Sequence, residues 1–189
     1  MAALAKGAGF NACAQFMKAR VGDARYAAMI ARAPVSARDV LENAMSASWY
    51  PIAALDTLLN LYSRERGFRG TMDARDEFEA LGRYVAEDNL TGIYRALLRV
   101  LSAHGAVPMM PRMWSQYFKE QRCQLEWDRT RTEARLTVAG LPIAHLGAVA
   151  AGWQQAALRL STHPGATVVE ERYARGQMTS DPMVFRIVW

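Results

Sequence analysis

Lysine is nearly absent from this chain. Only Lys6, Lys18 and Lys119 are present, so arginine supplies 20 of the 23 basic residues. The net charge of +5 is spread along the sequence, without a Lys/Arg run. A nucleic-acid surface needs a basic stripe with interleaved aromatics, and none is present, so no nucleic-acid partner is expected. Cysteine is also scarce. Cys13 and Cys123 are too few and too far apart for a disulfide framework or a cysteine zinc site. They read as two reduced, partly buried thiols, with a reactive or acylated Cys13 as the sharper alternative. The three histidines, His104, His145 and His163, lack metal-ligand spacing and read as surface or turn residues.

Other absences narrow the function. There is no apolar run of about 18 residues, so no membrane span is expected. The start, Met1 to Lys6, lacks the pattern of a secretory signal, and the chain is expected in the cytoplasm. No Gly-rich phosphate loop and no G-x-S-x-G elbow occurs. Ser63, Ser102 and Ser180 have no obvious base partner, and Glu126 and Asp128 fall on a strand face expected to be solvated. No catalytic residue, no metal and no cofactor is assigned, and the chain does not read as an enzyme.

What is present is a large apolar fraction, 51% of 189 residues, enough for one core, and residues 1–189 read as a single domain. The clearest pattern lies at Arg122–Trp189. Cys123, Leu125 and Trp127 alternate with polar residues, as do Ala134, Leu136 and Val138. Met183, Phe185, Ile187 and Trp189 form a third alternating set. Period two places each set on one face of a sheet. Between the hairpins Leu146, Val149, Trp153, Ala157 and Leu160 repeat at helical spacing, with small residues (Gly147/Ala151, Ala148/Gly152) suited to lying close on a sheet.

Nearly everything before Arg122 reads as helix. Phe10, Cys13 and Met17 share a face, and Val21-Gly22-Asp23 breaks the run. Ser36 is read as the start of a short helix with Val40, Leu41 and Met45 apolar. Further helices carry Ile52, Leu55, Leu58, Leu59 and Tyr62, then Phe78, Leu81 and Val85, then Leu90, Ile93, Tyr94, Leu97 and Leu101. Gly92 suggests a close backbone approach. Trp114, Tyr117 and Phe118 continue at helical spacing. The expected fold is α+β, with the helical N-terminal two-thirds packed on a four-stranded antiparallel sheet of order β-β-α-β-β in sequence.

Large aromatics gather at the junctions of these elements: Trp49, Tyr50, Tyr94, Trp114 and Tyr117. Such rings either stitch a core or line an apolar pocket, with hydroxyl and indole groups as polar handles.

Several pieces resemble a bacterial family of 4-vinyl-reductase-like domains, related to haem-NO-binding-type and TRAPP-component-like domains. They are Trp49-Tyr50-Pro51 before a helix, Thr91-Gly-Ile-Tyr94 with Leu97-Leu98, Pro111-Arg-Met-Trp114 with Tyr117-Phe118, and Ser180-Asp-Pro182 before Phe185–Trp189. The resemblance implies helices on an antiparallel sheet, often in a dimer, in modules that sense a small apolar ligand or contact a protein. Relatives carry Cys or His near the C-terminal hairpin as metal ligands, whereas Met178 to Phe185 has neither. Haem sensors carry Tyr-x-Ser-x-Arg, whereas Tyr62-Ser-Arg-Glu-Arg66 has the residue types in another spacing, and no histidine precedes His104. Haem is therefore not carried over. The leading expectation is a non-catalytic regulatory or adaptor domain that works by protein contact, with a protein partner or a homodimer. The second is a sensor for a small hydrophobic ligand held among Trp49, Tyr50, Tyr94, Trp114 and Tyr117. The third is a tetrapyrrole-handling protein or enzyme.

Overall fold

In the computed structural model, residues 3–90, 92–128, 130–161, 163, 165–171 and 182–189 are described, the side chains of 71 and 92–94 excepted. The first helical run breaks where the sequence places the break. Helix α1 (Gly7–Val21) stops at Gly22, and α2 (Asp23–Ala31) starts after it. Gly22 has φ 84°, in the left-handed region that a side chain resists. Phe10, Cys13 and Met17 of α1 are buried together with Tyr26, Met29 and Ile30 of α2. Helix α3 (Val35–Asn43) takes Pro34 as its N-cap. Ser36 therefore lies inside the helix rather than capping it, and Met45 falls past its end and is exposed.

Helix α4 (Ile52–Glu65) buries Leu55, Leu58, Leu59 and Tyr62, and α5 (Thr71–Asn89) buries Phe78, Leu81 and Val85. Both match the stripes read from sequence. Among the described side chains of α6 (Gly92–Val100), Leu98 is buried and Leu97 is exposed. At this turn of the helix position 98, and not 97, faces the core. Tyr94 lies in this helix with its side chain outside the described set, and the approach expected at Gly92 is likewise outside it. Short helices α7 (Ala103–Ala106) and α8 (Met110–Ser115) flank a 3-10 turn at Val107–Met109.

Three short strands form a small antiparallel sheet that hydrophobic periodicity does not reveal. β1 (Leu4–Lys6) lies between β2 (Trp49–Pro51) and β3 (Phe118–Lys119). Ala5 sits opposite both Tyr50 and Phe118. Strands of two or three residues are too short to show an alternation. Phe118 is therefore in a strand, and the helical spacing from Trp114 ends before it.

The C-terminal third follows the expected order: β4 (Arg122–Trp127), β5 (Glu133–Ala139), α9 (Leu146–Arg159), β6 (Thr167–Glu170) and β7 (Met183–Val188). The sheet is antiparallel throughout, ordered β4-β5-β7-β6. Leu125, Leu136 and Phe185 stand in register, as do Cys123, Val138 and Met183. The period-two sets thus share one face, on which Leu136, Val138, Met183 and Phe185 are fully buried. The expected connection through Gly176, Ser180 and Asp181 lies outside the described residues.

One small residue of α9, Gly152, serves a helix crossing that its sequence does not reveal. A Cβ on Gly82 of α5 would stand 1.9 Å from the carbonyl oxygen of Val149, and one on Gly152 would stand 2.0 Å from that of Glu79. The close approach at Gly152 is between α5 and α9. Gln155 ties α9 to the sheet, donating to the Ala166 carbonyl and accepting the Val168 N–H at 2.9 Å.

Candidate functional site

An apolar cavity of about 60 Å³ opens between α1, α4, α9 and the small sheet. Helix α1 supplies Gly9, Phe10 and Cys13, and α4 supplies Leu55 and Leu59. Leu146, Val149, Ala150 and Trp153 come from α9, and Val85 from α5. Trp114, Tyr117 and Phe118 close the end near β3, beside Ala5 and Lys6 of β1. No polar atom faces the space. Lys6 contributes its aliphatic stem, as long basic side chains do beside apolar surface. An apolar cavity of this kind stays dry and takes apolar guests.

The structure divides the five aromatic candidates. Trp114 and Tyr117 line the cavity. Trp114 stacks on Phe118 at 4.8 Å between centroids, and Tyr117 meets Trp153 edge-on at 5.8 Å. Tyr50 stands one layer back, edge-on to Phe10 at 5.9 Å, with its hydroxyl accepting the Met45 N–H at 2.9 Å. Trp49 lies outside the lining, with the ammonium groups of Lys119 and Lys6 at 4.2 and 6.0 Å from its ring centroid. Tyr94 is not described. The lining residues not singled out from sequence, among them Phe10, Leu55, Leu59, Val149 and Trp153, were legible only as inner helix faces. Nothing in a periodic pattern separates a residue that faces a void from one that faces a neighbour.

Burial sets the chemistry of the titratable groups here. It pushes the Cys13 thiol up to about 12, so the group stays protonated and the reactive reading of Cys13 loses its basis. Cys123, half-buried, is raised to about 11 for the same reason. His145 sits in the turn before α9, as one reading had it, but it is not a surface residue. It is 5% exposed, in a left-handed backbone conformation just before α9, and stacks on Phe78 at 4.2 Å. Burial lowers its pKa to about 4, so it is neutral. His104 accepts the Trp189 indole N–H at 3.1 Å, and His163 accepts the Ala103 N–H at 3.3 Å.

The Tyr62–Arg66 segment is committed to structure. Tyr62 donates to Glu77 at 2.6 Å, and Arg66 lies 3.9 Å from the same carboxylate. Glu65 receives Arg25 of α2 and Arg32 just past its end. Among the described residues no three His, Cys, Asp or Glu side chains converge as a metal site. Nor is any described helix long and apolar enough to cross a membrane.

Helices packed on a four-stranded antiparallel sheet, with an apolar cavity against the smaller three-stranded sheet, make this an α+β fold. Solved structures with a similar fold include H-NOX proteins. A mutant H-NOX protein from K. algicida, in the unliganded Fe(II) state, superposes with a TM-score of 0.69 at 12% identity, over 97% of this chain and 95% of that one. An H-NOX protein from S. oneidensis in the Fe(II)NO state gives 0.64 at 13% identity, over 96% and 97%. At such identities the likeness is one of fold, the haem-NO-binding type among those suggested by the sequence. No protein family and no curated protein matches the sequence itself, and the 4-vinyl-reductase-like family is not shown.

The residues present do not fit a haem. Cofactor sites commonly measure about 300–1,000 Å³, several times this cavity. A haem iron takes an axial His, Cys, Met or Tyr. No histidine lines the cavity, and the Cys13 thiol is held protonated where a ligand must be thiolate. The Tyr117 ring is packed against Trp153.

Proposed function

We propose that this chain is a ligand-binding sensor domain that uses the H-NOX fold without haem and admits a small apolar molecule to its interior cavity. The observation that carries this reading is the wholly apolar lining at the meeting point of α1, α4, α9 and the small sheet. A module working by surface contact alone has no need of such a space, so ligand sensing displaces the adaptor role as the leading reading. Within it, Trp114 and Tyr117 contact the ligand directly, and Tyr50 supports it through Phe10. Trp49 belongs to the rim.

Two measurements test it. Native mass spectrometry and solvent extraction of purified protein should release a small apolar molecule and no tetrapyrrole. Ala150→Leu should fill the cavity with little cost in stability and abolish the thermal shift given by a small apolar probe such as xenon under pressure. Absence of any shift in the wild type, together with a penalty of about 1–3 kcal/mol for Ala150→Leu, as in an already full core, overturns the reading.

A further inference from the structure

The four-stranded sheet ends at β4, and among the described strands β4 pairs with β5 alone. The ladder fixes which of its backbone groups face outward. The Trp189 N–H donates to the Thr132 carbonyl at 3.0 Å, and these two residues stand directly opposite when the β5–β7 register is continued by one step. Hydrogen-bonded pairs recur at every second residue, so Ala134, Leu136 and Val138 bond to β7, and Arg135, Thr137 and Ala139 bond to β4. Their partners in β4 are Glu126, Gln124 and Arg122. Cys123 and Leu125 therefore turn their N–H and carbonyl groups away from the sheet, where no backbone bond among the described residues reaches them. Such an edge is a template for another strand. The side chains carry the same message. Cys123, Leu125 and Trp127 lie on the core face but are only half-buried, whereas Leu136 and Val138, one strand inward, are fully buried. On the solvated face stand Arg122, Gln124 and Glu126, exposed and without a hydrogen bond or ion pair among the described residues.

We propose that the β4 edge is a homodimer interface, at which a second copy of this chain adds its own β4 antiparallel about a two-fold axis at Gln124. The two four-stranded sheets become one continuous sheet. Cys123 and Leu125 of each copy exchange backbone hydrogen bonds with Leu125 and Cys123 of the other, and the half-covered apolar rows meet. Arg122 stands opposite the partner's Glu126, twice by symmetry, and opposite charges on facing strands stabilise the pairing. The strand is thus complementary to itself, which is why the occupant is a second copy and not a strand of other sequence. Other registers answer the charges less well. A two-fold at Leu125 sets Arg122 against Asp128, which already accepts from Thr130. One at Glu126 opposes that carboxylate to itself. The paired edge is short, so the dimer is weak and depends on concentration.

Sedimentation equilibrium of the full chain tests it. Wild type should exchange between monomer and dimer with a dissociation constant of about 10–100 μM at low salt. Raising the salt to about 0.5 M should weaken the dimer about threefold. Arg122→Glu and Glu126→Arg should each be monomeric alone, with circular dichroism unchanged. Mixed in equal amounts they should dimerise, because every opposition across the two-fold then joins Glu to Arg. Gln124→Cys, in a Cys123→Ser background where buried Cys13 is the other thiol, should cross-link to its counterpart under mild oxidation. Non-hydrogen-bonded neighbours lie about 4.5 Å apart between Cα atoms, within disulfide reach. A wild type still monomeric at about 500 μM overturns the proposal and leaves the edge to a strand of another protein. Charge variants that stay monomeric when mixed, or a Gln124→Cys protein that does not cross-link, overturn it as well.

Discussion

Gln154 is 1% exposed in the middle of α9, and neither end of its amide has a hydrogen-bond partner among the described residues. Such a group has lost water and gained nothing in exchange, at a cost of about 1–3 kcal/mol. Gln154→Met, of similar length and without the polar atoms, should stabilise the protein by about 1–2 kcal/mol in urea unfolding. A loss of stability would show that the amide is satisfied in solution. His145 gives a pH-dependent counterpart. It is neutral in the fold with a pKa of about 4, while in the unfolded chain it titrates near 6.5. Between those values the unfolded state binds the extra proton, so acid favours unfolding. The contribution is intact above pH 6.5 and is lost as pH falls toward 4. From pH 7.5 to 5.5 the loss should be on the order of 1 kcal/mol. His145→Phe, which keeps a ring against Phe78, should remove that part of the pH dependence. Identical slopes in the two proteins would refute the neutral, buried assignment.

At the scale of elements, the crossing of α5 and α9 is the tightest contact in the fold. Gly82 and Gly152 each let a backbone carbonyl of the other helix approach to a distance at which no Cβ fits. Gly82→Ala and Gly152→Ala should each force the helices apart and cost about 2–4 kcal/mol, despite the better helix propensity of alanine. Gly9 in α1 has nothing within 4 Å of the position of an added Cβ. There the same change should stabilise by about 0.5–1 kcal/mol. Equal effects at the three sites in chemical denaturation would refute the close crossing. The small residues of α9 were visible in the sequence, but what they approach was not. A Gly-x-x-x-Ala spacing says that something comes close, while the partner depends on which surface the tertiary fold brings up. The same limit explains α6, where Leu97 and Leu98 differ by one position and packing alone decides which turns inward. The four-stranded sheet was legible because β4, β5 and β7 each repeat the alternation over six or seven residues. The β2-β1-β3 sheet was not, since its pairs, such as Ala5 with Tyr50 and with Phe118, lie far apart in the chain and leave no local trace in strands so short.

For the whole molecule, the question is how a guest reaches a chamber enclosed by α1, α4, α9 and the small sheet. The sequence pointed to two of the aromatic walls, Trp114 and Tyr117, but a void is a property of the assembled fold and not of any segment. Cys13 offers a direct probe, being 3% exposed and part of the lining. In a Cys123→Ser background it is the one remaining thiol. Its modification by a bulky disulfide reagent then requires an opening of the structure, and the rate reports the free energy of that opening. If the chamber is reached only through cooperative unfolding, labelling should track global stability across a urea series. If the small sheet swings away on its own, labelling should be faster than global unfolding and nearly independent of urea at low concentrations. The strands of that sheet are two or three residues long, so its few backbone bonds make it the weakest wall of the chamber. We therefore expect the local, urea-insensitive route. A saturating apolar guest should slow labelling by a factor of 1 + [L]/Kd, because it binds the closed form alone. A rate unchanged by a guest whose binding calorimetry has confirmed would place that guest outside the chamber.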